Sequence, residues 1–305
     1  PEKRVPLVRL YLAQGKKDVA EQIVKEAGQA LANDPKGYHM LGDFYFMTGN
    51  MDKATAEYAS LTKAHPDDAT VKRTYSQLLI LNNRLDEASR LTDEILKENP
   101  KDSGAQVNRA QILNRQRRAA DALPILESVV KNEPDNPLAR FQLGLAFAMV
   151  GNNERAETEW REAAKLRPNM FAAQRALANV ALRKNDLQLL NESAGRMIRT
   201  QPTGPEGYVL RAAGRVLSKD LPGAESDLKR AIEVAPQNAL GYTRLGTLRR
   251  VQKRYGEAEK LYEQALERDP GDTQALQGLV IVYARQKQPG KALARIEAQI
   301  ARSPN

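Results

Sequence analysis

The chain has 305 residues, no cysteine and a formal net charge of +9, with 41% hydrophobic and 28% charged residues. That balance supports a continuous apolar core under a well-solvated surface, and the missing cysteine excludes disulfides, thiolate metal sites and thiol catalysis. The longest apolar run, Phe141–Val150, is broken by Gln142 and Gly144 and is too short to span a membrane.

Taken in order, the chain repeats itself. Pro66, Pro100, Pro134, Pro168, Pro202, Pro236, Pro270 and Pro304 stand 34 residues apart, and self-similarity at that period overrides a division into ordinary domains. The resulting repeats are 1–34, 35–68, 69–102, 103–136, 137–170, 171–204, 205–238, 239–272 and 273–305, each predicted to be two amphipathic helices joined by a tight turn. In the first repeat Ala32 occupies the proline position and Pro35 stands just beyond it. Position 20 holds alanine in every repeat except the sixth, where it is Leu190, and position 8 is small in most, with glycine at Gly42, Gly144 and Gly246. A glycine inside a helix costs about 1 kcal/mol against alanine. Close packing of the two helices is therefore expected, with positions 8 and 20 facing each other.

Tyr242-x2-Leu245-Gly246, followed by Ala258, Tyr262, Ala265 and Pro270, resembles the tetratricopeptide repeat, with Tyr242 in place of the usual tryptophan. Tyr38-x2-Leu41-Gly42-x2-Tyr45, followed by Gly49, Ala54 and Tyr58, resembles it as well. The resemblance covers the whole chain and implies an all-α, right-handed superhelical solenoid of antiparallel helix pairs, a single array in which first helices line a concave groove. One repeat cannot bury its own apolar face, and stacked neighbours can.

The departures carry expectations of their own. Arg109 and Arg211 at position 7, and Arg215 and Arg249 at position 11, stand where apolar residues are usual; their stems should pack while their guanidinium groups reach water or a carboxylate. Leu190 should push its helix pair apart, and the Gly/Pro-rich run Gln201–Gly207 loosens the next connection, so a change of curvature or a hinge is expected near 185–207. The array starts at Pro1 and stops without a polar capping helix, as expected of a piece of a longer protein. Compartment stays open between cytoplasm and periplasm, because a cysteine-free chain fits both.

Catalytic signatures are missing: no phosphate-binding loop, dinucleotide fingerprint, nucleophile elbow or zinc-protease motif occurs. The histidines are His39, one helical turn before Asp43 on the presumed groove face, and His65, a turn residue before Pro66. With no cysteine and no second nearby histidine, neither a metal nor a cofactor is expected. Trp160 reads as core. The chain is not expected to be an enzyme.

In the family that the chain resembles, the concave surface comes from first-helix positions 2, 5, 6, 9, 12 and 13. Those positions hold the basic residues Arg9, Lys36, Arg73, Arg115, Arg175, Arg183, Arg244, Arg250 and Arg285 and the acidic residues Glu2, Asp43 and Glu206. Nine minus three is +6, so most of the excess of +9 belongs to one surface. Arginine forks onto carboxylates and phosphates, and the amides of Gln77, Asn108, Gln111, Asn114, Gln142 and Asn179 can pair with a peptide backbone. Phe46, Met47, Phe141, Leu145 and Met149, and again Val209, Leu210, Val216 and Leu217, supply apolar pockets. A carboxylate clamp of the chaperone-tail type is not expected, since the nearest window offers Arg73, Gln77, Asn108, Leu138 and Gln142 and lacks half the charge. Nucleic acid is not expected either, because stacking aromatics are few, at 5%. The expected function is a non-catalytic protein-interaction scaffold that binds an extended, net-acidic peptide or protein segment. The alternative is a structural spacer between flanking domains, since the style of the repeats resembles arrays in bacterial envelope systems for secretion and exopolysaccharide assembly. Oligomeric state is not legible.

Overall fold

Residues 5–32 and 34–302 are described by a computed structural model, and among them every regular element is a helix. The first four pairs are α1 (Val5–Ala13) with α2 (Lys17–Gln29), α3 (Pro35–Met47) with α4 (Met51–Ala64), α5 (Ala69–Leu81) with α6 (Leu85–Glu98), and α7 (Ser103–Arg115) with α8 (Ala119–Asn132). Then come α9 (Pro137–Met149), α10 (Asn153–Leu166), α11 (Phe171–Lys184), α12 (Leu187–Thr200), α13 (Glu206–Leu217) and α14 (Leu221–Val234). The last four are α15 (Ala239–Val251), α16 (Tyr255–Arg268), α17 (Thr273–Arg285) and α18 (Pro289–Arg302). Each 34-residue repeat holds one pair, which makes the fold an all-α solenoid of helix pairs.

The turn within each pair has one design. Position 15 is left-handed in every repeat: Gly15, Gly49 and Gly151, but also Asn83, Arg117, Asn185, Lys219, Lys253 and Lys287. The next residue's N–H then returns to the carbonyl at position 11, as in Asn50 to Tyr45 (2.9 Å), Arg118 to Leu113 (2.8 Å) and Arg254 to Arg249 (2.9 Å). This bond closes the end of the first helix and reverses the chain. At the opposite end of the repeat, Asp34, Asp68, Asp102, Asn136, Asn238 and Asp272 cap the first helix that follows by accepting its free backbone N–H groups. Met170 and Pro205, before α11 and α13, provide no such side chain.

Position 8 also meets position 24. A Cβ on Gly42 would lie 2.5 Å from the Tyr58 ring, and one on Gly246 would lie 3.0 Å from the Tyr262 ring. Glycine is there to admit an aromatic side chain at position 24. Where position 24 is smaller, position 8 gains atoms: Ser76 Oγ meets Thr92 Oγ1 at 2.7 Å and reaches the Ala88 carbonyl at position 20 (3.4 Å). Position 20 also looks forward to the next repeat. Leu190 is fully buried with its Cδ2 3.1 Å from where a Gly214 Cβ would stand, so its bulk lies against a glycine of α13.

The chain falls into two compact units, residues 1–156 and 157–305, divided within α10. In the first, α5 packs on α7 and α7 on α9; in the second, α11 packs on α13, α13 on α15 and α15 on α17. First helices thus stand side by side within each unit and give it an inner face. The segment 185–207 lies inside the second unit.

Candidate functional site

In the first unit the inner face contains a pocket of about 250 Å³ that brings together Arg73, Gln77 and Asn108, with Phe46 and Leu138 at its sides. Arg73 is not a free cation there. Its Nη1 donates to Asp102 Oδ2 at 2.5 Å and its Nη2 to Thr70 Oγ1 at 2.8 Å, while Asp102 also caps α7 through Ala105 N at 2.8 Å. The amides are engaged as well: Asn108 Nδ2 donates to the Arg73 carbonyl (3.0 Å), and Asn114 Nδ2 to the Gln142 carbonyl (3.1 Å) and Oε1 (3.3 Å). Asn108, Gln111, Asn114, Phe141 and Gln142 are buried and Leu145 is half-buried. Asn108 and Asn114 thereby tie neighbouring first helices together, a role that residue type and spacing did not reveal. Three amide oxygens, on Gln77, Gln111 and Asn114, are buried without a hydrogen-bond partner. Arg115 is exposed at the end of α7 and has no ion pair among the described residues.

In the second unit an open pocket of about 420 Å³ lies between α11, α13 and α15. It gathers Asn179, Val209, Leu210, Val216, Leu217 and Arg244, residues brought from three repeats. Arg175 stands 3.7 Å from Glu206, and Arg250 Nε donates to Tyr262 OH at 3.4 Å. Arg183 is exposed, and neither it nor Arg244 forms an ion pair among the described residues.

The arginines at positions 7 and 11 are neutralised. Arg109 pairs with Asp93. Arg211 forks onto Asp227 at 2.9 and 2.6 Å, and Arg215 reaches the same carboxylate at 2.9 Å. Arg249, itself buried, takes Glu225 at 2.7 and 2.5 Å and Glu257 at 3.0 Å. Hydrogen bonds from Arg249 and Lys229 hold the Glu225 carboxyl at about 2, against an ordinary 4.5. The partners Asp227 and Glu225 were missed in sequence, though Asp227 follows Arg211 at the spacing that separates Gly42 from Tyr58.

The histidines serve a repeat junction. Tyr38 OH donates to Asp68 Oδ2 at 2.5 Å, His39 Nε2 lies 3.4 Å from the same oxygen, and His65 stacks on the Tyr38 ring at 3.8 Å. The Asp68 bond pushes the Tyr38 hydroxyl up to about 12. Asp43, expected in the groove, accepts from Tyr58 OH at 2.5 Å. Among the described residues no helix is long and apolar enough to cross a membrane.

Comparison with known proteins agrees with this geometry. One tetratricopeptide repeat model matches residues 11–78, 45–112 and 251–305, and a second matches 115–149, 141–189 and 218–273. Among curated proteins, Hsp70-Hsp90 organizing protein 2 of Arabidopsis thaliana is 27% identical over 126 residues, which is 41% of this chain and 22% of that protein. Among solved structures, the Cut9-Hcn1 hetero-tetramer of the APC/C is similar with a TM-score of 0.72 at 16% identity, over 96% of this chain and 57% of that one. A tetratricopeptide repeat protein from Parabacteroides merdae gives 0.53 at 14% identity, over 81% of this chain and 98% of that one. At such identities the structural likeness shows the fold alone.

Proposed function

As a member of the tetratricopeptide repeat family the chain is a protein-interaction scaffold, and we propose that it does no chemistry and holds an extended, net-acidic polypeptide against the inner faces of its first helices. One observation carries the reading. Arginines at positions 7 and 11 are neutralised by carboxylates of the chain, whereas Arg115, Arg183, Arg244 and Arg285 at groove positions have no carboxylate partner among the described residues. Guanidinium groups left unpaired on one face attract carboxylates and steer their approach. Peptide-array binding at low and high salt, to the wild type and to Arg175→Glu/Arg183→Glu/Arg244→Glu, tests it. Salt-sensitive capture of acidic peptides, weakened at least about tenfold in the variant, is the expected result. If no peptide is captured selectively, the proposal falls and the spacer reading replaces it.

A further inference from the structure

One small residue, Ala213, stands among those that line the pocket of the second unit. Position 9 lies at the centre of the inner face and carries Gln77, Gln111, Leu145 and Asn179 in earlier repeats, but in α13 it is Ala213. Ala213 shares the lining of that opening with the buried Leu228 and Leu248. Its rim is apolar and wet: Val216 and Leu217 are 42% and 45% exposed, and Val251 is 66% exposed. An opening of about 420 Å³ with such walls is of the size that encloses a ligand group.

Charge at the rim indicates what covers it. Arg244 lines the pocket and Arg183 follows Leu182, which also lines it; neither is ion-paired among the described residues, although Arg211, Arg215 and Arg249 on α13 and α15 all are. Asn179 adds an exposed amide that makes no side-chain hydrogen bond among the described residues. The smaller pocket of the first unit lacks this combination, because its arginine, Arg73, is held by Asp102.

We infer that the α11–α13–α15 pocket is the anchor site of the bound polypeptide: it takes one bulky aliphatic or aromatic side chain, with flanking Asp or Glu residues on Arg183 and Arg244 and a backbone amide on Asn179. The inference rests on the groove-binding reading above and adds where the ligand is gripped and by which residue type.

The test selects short random peptides by display against the full chain, then measures the selected peptides by fluorescence anisotropy. Three proteins are compared: the wild type, Ala213→Leu, and Arg183→Glu/Arg244→Glu. Leucine already occupies position 9 at Leu145, so Ala213→Leu fills the pocket without a residue foreign to the repeat, and thermal denaturation confirms that it folds. Selected peptides are expected to share a large apolar residue flanked by acids. Ala213→Leu should weaken them about tenfold or more, as should serine in place of the apolar residue, while the charge-reversed protein loses their salt-sensitive component. If acidic peptides bind Ala213→Leu as tightly as wild type but not the charge-reversed protein, the anchor is overturned and groove binding stands. Selected peptides indifferent to both variants overturn the anchor as well. If no peptide is enriched, groove binding falls with it.

Discussion

Glu225 shows how a single side chain makes the fold depend on pH. It accepts from Arg249 at 2.7 and 2.5 Å and lies 2.8 Å from Lys229 Nζ, and those bonds lower its carboxyl to about 2 from 4.5. A group more acidic folded than unfolded stabilises the fold fully above its unfolded value, and that contribution is lost as pH falls through its folded value. The window here runs from pH 4.5 down to about 2. Glu225→Gln should therefore be less stable than wild type at neutral pH, and the gap between their urea midpoints should close across that window. Midpoints falling in parallel would show that the pair adds nothing. The sequence set Arg249 at an apolar position, where its guanidinium was expected to reach water or a carboxylate. It did not say which carboxylate, because Glu225 belongs to the preceding repeat and the match is made only when repeats stack. The same limit hid Arg73: its type and position read as a groove cation, and only the approach of α7 revealed Asp102 beside it.

At the scale of the helix, the repeat period was legible because it is written in many residues at once, and turns and caps recur with it. What single positions meant was less legible. Gly42 reads as a close helix contact, and the atoms nearest a Cβ there belong to the Tyr58 ring at position 24, as side-chain direction across the pair sets. Capping gives a sharper case. Six first helices begin with an Asp or Asn whose side chain accepts backbone N–H groups, whereas α11 begins after Met170, which is in the extended region (φ −73, ψ 94) and caps nothing. The backbone there already has the shape that a capping side chain needs, so only the oxygen is missing. Met170→Asp should stabilise the chain by about 1 kcal/mol, read as a higher chemical-denaturation midpoint with an unchanged slope. A midpoint that stays put or falls would mean that Met170 contributes packing worth as much as the cap. The uncapped α11 and α13 bound the irregular sixth repeat, so the irregularity at Leu190 and the Gly/Pro run extends to the starts of these helices.

For the molecule as a whole, stability in a repeat array is close to a sum of repeat terms and nearest-neighbour interfaces. Interior repeats have two such interfaces and terminal ones have one. The burial pattern shows the difference residue by residue. Position 10 is closed in the interior, with Leu78 1%, Ile112 3% and Leu248 5% exposed, but Leu10 on α1 is 54% exposed. At the other end, Leu266 is 0% exposed while its equivalent on α18, Ile300, is 61% exposed. Ile232 shows what such a residue ordinarily meets: its Cγ1 would stand 2.9 Å from a Cβ on Gly241 of the next repeat. A helix with half its usual contacts opens at lower free energy, and amide hydrogen exchange reports that opening directly. Amides of α1 and α18 should therefore exchange fastest among the helices, with α5–α8 and α13–α16 slowest in their respective units. Protection that is uniform from the first repeat to the ninth would mean that the array opens only as a whole and that exposed end faces cost it nothing. Faster exchange at α11 than at α13–α16 would add that the missing cap, and not the chain end alone, sets where the second unit yields.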